Sequence, residues 1–95
     1  MAAWLTQRRL SQNVARLKQL RAELAQIDEQ VAHFQADADD TALRALVSET
    51  PGAAQEANES RKHAAALAKH RRHVADSIAE LEARQDELLD KLIGS

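Results

Sequence analysis

Two imidazoles three positions apart project from one face of a helix, and with a carboxylate they can hold zinc. His70 and His73 have that spacing, and His33 and His63 complete the four histidines of the chain. A chain folded back near its middle would bring His33 towards the pair. Neither His-Glu-x-x-His nor Glu-x-x-His surrounds any of them. They are therefore read as surface histidines, with no metal and no other cofactor expected.

The second chemistry on offer is anion binding. Arg61, Lys62, Lys69, Arg71 and Arg72 lie in a stretch with no acidic residue from Arg61 to Ala75. Such a run could grip phosphates, as in a small transcription regulator or a nucleotide-binding protein. The first half of the chain supplies matching acids at Asp28, Glu29, Asp37, Asp39 and Asp40. The only aromatics are Trp4 and Phe34, too few for base stacking, and the net charge is −2. Internal charge pairing is the preferred reading, with nucleic acid not expected as a partner. Carboxylates are plentiful, yet no glycine-rich phosphate loop or nucleophile–base pair accompanies them. No catalytic residue is assigned and an enzyme is not expected.

The elements that must position these residues are helices. Ninety-five residues allow one domain, 1–95. Hydrophobic content is 44 %, much of it alanine, and the abundant leucine, glutamate, glutamine and arginine favour helix. There is no cysteine, which removes disulfides and thiolate sites. No apolar run approaches the length of a membrane span, and no signal-peptide core follows Met1. A cytoplasmic protein without membrane association is the expectation.

The break falls at Ser48-Glu49-Thr50-Pro51-Gly52, which holds the only proline. Proline suits the first turn of a helix, and a preceding threonine can cap the exposed N–H groups. The spacing predicts helix 1 over about 4–47, a turn at 48–50 and helix 2 over about 51–93. Apolar residues in the first arm recur at Leu10, Val14, Leu17, Leu20, Leu24, Ile27, Val31, Phe34, Ala38, Thr41 and Ala45. This is a heptad seam with one stammer between Leu17 and Leu20. Asp37 to Thr41 is its weakest helical stretch. A continuous helix with a point of kinking is preferred there over a separate short helix capped by Asp40.

The second arm keeps register without a break through Ala53, Ala57, Ser60, Ala64, Leu67, Arg71, Val74, Ile78, Leu81, Gln85, Leu88 and Leu92. Arg71 and Gln85 are polar members of that seam, a device that fixes register in coiled coils. Folding about residue 50 sets small residues against small near the turn and large against large beyond it. Arg8, Arg9, Arg16, Lys18 and Arg21 fall opposite Glu80, Glu82, Asp86, Glu87 and Asp90. The acids of the first arm likewise fall opposite Arg61 to Arg72. Both patterns select an antiparallel pairing.

The expected fold is all-α, a two-helix antiparallel coiled-coil hairpin. One seam is a thin core, which favours self-association, most simply as an antiparallel dimer forming a four-helix bundle. The architecture is similar to small bacterial coiled-coil regulators, including hairpin anti-sigma factors that bind cyclic di-GMP between helices. Of their Glu-x3-Ser-x2-Arg-x3-Gln-x3-Asp signature, Glu56 and Ser60 are in place, while His63, Leu67 and Arg71 occupy the other three positions. No site residue is carried over from that resemblance.

The expected function is non-catalytic: an adaptor or regulator that binds proteins, itself or another, through helix faces. Candidate contact residues are Leu43, Leu46 and Val47 near the turn, with Trp4 and Leu5 at the other end. All five fall off the seam, and tryptophan is enriched at binding hot spots. Packing within the hairpin or its dimer is the competing reading for them. For the chain as a whole, the rival functions are an anion binder using the basic run and a structural subunit of a larger assembly.

Overall fold

The computed structural model describes residues 2–94 and contains two helices, α1 (Ala2–Ser48) and α2 (Pro51–Gly94), packed as a hairpin. Only Glu49 and Thr50 separate them. Glu49 takes a left-handed backbone (φ 51°), and its N–H donates to the Ala45 carbonyl at 3.1 Å. That contact closes the last turn of α1 in the manner of a left-handed C-cap, a position more often held by glycine. Thr50 then caps α2: its Oγ1 accepts from the Ala53 N–H at 3.2 Å, and its carbonyl accepts from the Ala54 N–H at 3.1 Å. Pro51 follows at the first helical position, where it has no N–H to leave unpaired.

The hairpin divides into two compact units, one formed by α1 up to Leu24 with α2 from His73, the other by Ala25–Arg72. In the first unit, the open-end unit, Leu17, Leu20, Val74, Ile78 and Leu88 are buried. Leu10, Leu24, Leu81 and Leu92 are half-buried around them. Burying a leucine contributes roughly 1.5–3 kcal/mol, so these side chains dominate the packing of that unit. The second unit, which contains the turn, buries smaller residues: Ile27, Ala38, Thr41 and Ala64, with Val31, Phe34 and Leu67 half-buried.

The expected stammer is absent. Buried and half-buried positions on α1 run Thr6, Leu10, Asn13, Leu17, Leu20, Leu24, Ile27, Val31, Phe34, Ala38, Thr41 and Ala45, in unbroken steps of four and three. The seam takes Asn13 in place of the expected Val14, and Val14 is 47 % exposed. The buried amide is satisfied because Asn13 Nδ2 donates to the Leu81 carbonyl at 2.8 Å across the hairpin. A buried polar group that finds such a partner carries little penalty. Keeping the phase of the three leucines that follow then decides the register.

α1 is continuous through Asp37–Thr41. Thr41 Oγ1 donates back to the Ala38 carbonyl at 3.1 Å, which satisfies the hydroxyl inside the seam. Asp40 pairs with Arg44 at 2.8 Å and Asp39 accepts from Gln35 at 3.1 Å, both one turn away along the helix. Such contacts support a helix by a few tenths of a kcal/mol each.

Candidate functional site

Leu43, Leu46 and Val47 occupy the last turns of α1. They are 62 %, 76 % and 78 % exposed. The seam explains why: Thr41 and Ala45 face α2, so residues 43, 46 and 47 are carried to the opposite side of the helix. Spacings of three and four place all three on one stripe. The Arg44–Asp40 ion pair lies beside them, and the Glu49–Thr50 turn fixes where the stripe ends. Three large aliphatic side chains on a capped helix end match the anchors of an amphipathic helix that docks in a groove.

In the open-end unit Trp4 is 57 % exposed, and Leu5 is exposed as well. Val14 and Ile93 join them as exposed large hydrophobics of that unit. Sequence reasoning misses Val14 because its apolar side chain suits the seam. The signal that finds it is the unbroken stepping through Thr6, Leu10 and Asn13.

The five basic candidates do not act as one cluster. Arg71, expected in the seam, is exposed and forms an ion pair with Asp28 of α1. A guanidinium reaches solvent from a seam position more readily than it tolerates burial. Arg61 donates to Asn58 Oδ1 at 2.6 Å, one turn back along α2. It also borders a shallow groove lined by Gln35, Ala38, Asp39, Ala42, Ala57 and Asn58. Lys62, Lys69 and Arg72 are exposed and make no ion pair among the described residues. Of the charge blocks, cross-helix ion pairs form between Arg21 and Glu82 (3.8 Å) and between Asp28 and Arg71. Both are half-exposed and are worth at most about 1 kcal/mol each.

The Phe34 ring packs edge-on to His33 (centroids 5.3 Å) and tilted against His63 (5.7 Å). His63 and His70 border a second open groove with Gln30, Phe34, Ala66 and Leu67. Among the described residues, no group of three His, Cys, Asp or Glu side chains is placed to hold a metal ion. No described helix is long and apolar enough to cross a membrane.

In comparison with known proteins, no family model matches the chain, and no significant match is found to a curated protein or a solved structure.

Proposed function

We propose that this chain is a non-catalytic coiled-coil adaptor or regulator that works by helix-on-helix binding of proteins. The observation that carries the reading is the exposed Leu43–Leu46–Val47 stripe at the capped end of α1. Isolated exposed hydrophobics are ordinary, but three on one stripe of one helix end form a patch suited to a partner's groove or helix. Self-association into a four-helix bundle and a cytoplasmic setting belong to the same proposal. The first is supported by the exposed hydrophobics of the open-end unit.

Position 46 provides the test. Leu46→Glu leaves the seam untouched, so circular dichroism should report unchanged helicity. Affinity capture with the full chain should lose its partner. Unchanged capture by the variant would contradict a role for the turn end.

Anion binding through α2 is the second reading, favoured by Lys62 and Lys69 one heptad apart with Arg72 nearby and no ion pair at any of them among the described residues. It requires binding of a polyanion that weakens steeply with salt. Absent or salt-independent binding eliminates it.

A further inference from the structure

The open-end unit carries an apolar face that its own helices leave uncovered. The Arg21–Glu82 ion pair marks that face, since both side chains must lie on it to meet at 3.8 Å. One heptad from Arg21 towards the start of α1 is Val14, and one heptad from Glu82 towards the end of α2 is Leu89. The helices are antiparallel, so both steps lead in the same direction and bring Val14 and Leu89 side by side. Val14 is 47 % exposed and Leu89 half-buried. Spacings of three and four extend the same face to Trp4 and Lys18 on α1, and to Asp86 and Ile93 on α2. Trp4 is 57 % exposed and Ile93 82 %.

The charges on this face identify what fits it. Lys18 lies towards its α1 edge and Asp86 towards its α2 edge, while Arg21 and Glu82 meet between them in line with Val14 and Leu89. A surface with one basic and one acidic edge is self-complementary under a two-fold axis that brings α1 of one copy against α2 of the other. That axis runs parallel to the helices. A two-fold across the helices would set α1 against α1, basic edge on basic edge.

We infer that this face is covered by a second copy of the chain in a parallel arrangement of hairpins, with open ends together. Deepening the helix-face association proposed above, and resting on it, the arrangement replaces the antiparallel dimer expected from sequence. Val14 and Leu89 form the centre of the interface. Trp4 of each copy meets Ile93 of the other, and Lys18 of each meets Asp86 of the other. The Leu43–Leu46–Val47 stripe takes no part.

Sedimentation equilibrium of the full chain, with emission of Trp4 as the second readout, tests the inference. The wild type should be dimeric at tens of micromolar, and its tryptophan emission should shift to the blue as dimer forms. Val14→Lys, and separately Lys18→Glu and Asp86→Lys, should each raise the dissociation constant about tenfold or more, equivalent to about 1.4 kcal/mol. The double variant Lys18→Glu/Asp86→Lys should return to within about threefold of wild type, since each new acid faces a new base of the other copy. A monomeric wild type overturns the inference, as does a dimer in which the double variant is no tighter than the single ones. A dimer abolished by Leu46→Glu but indifferent to Val14→Lys also overturns it. In each of those cases, partner capture that depends on Leu46 would leave the proposed function standing.

Discussion

Asn13 decides more about the hairpin than its size suggests. Its amide is buried and spends one N–H on the Leu81 carbonyl, at 2.8 Å. A polar residue in a seam lowers stability while restricting the registers available to the helices. Asn13→Leu should therefore raise the stability of the hairpin by about 1 kcal/mol, the gain expected from apolar burial less the lost hydrogen bond. Urea unfolding followed by circular dichroism measures it. An unchanged midpoint would mean that position 13 does not face α2. Leu17→Ala, by contrast, should cost about 2–5 kcal/mol, because the leucine is almost wholly enclosed.

At the scale of the helices, the turn and the pairing can be tested separately. Thr50→Ala removes the cap from α2 and should cost about 1 kcal/mol, read from the same unfolding curves. Arg71→Glu should cost at most about 1 kcal/mol, given the half-exposed pair with Asp28, and the loss should shrink in high salt. Adding Asp28→Arg should recover most of it; no recovery would contradict the pairing. The cap, the two helices and most of the α2 seam are legible in the amino-acid sequence, because proline and threonine act locally and a seam repeats. The phase of α1 before Leu17 is not. There hydrophobicity favours Val14, whereas a carbonyl on the other helix accommodates Asn13. The exposed candidates Leu43, Leu46, Val47, Trp4 and Leu5 are legible because falling off a seam exposes a side chain. The basic residues look like one unit in the sequence but differ in reach and partner: Arg71 turns to Asp28 and Arg61 to Asn58.

Across the whole molecule, the two helices bury one another's seam residues and leave large hydrophobics outside the seam. If the helices paired otherwise, neither the stripe at residues 43–47 nor the face around Val14 and Leu89 would be presented as described. Pulsed electron resonance between spin labels at Arg16 and Arg84, diluted into a large excess of unlabelled protein, tests this most directly. Helices in contact have axes about 8–10 Å apart, so the two labels should give a narrow distribution at short distance within one molecule. A broad distribution with no short component would contradict the antiparallel hairpin and the surfaces derived from it.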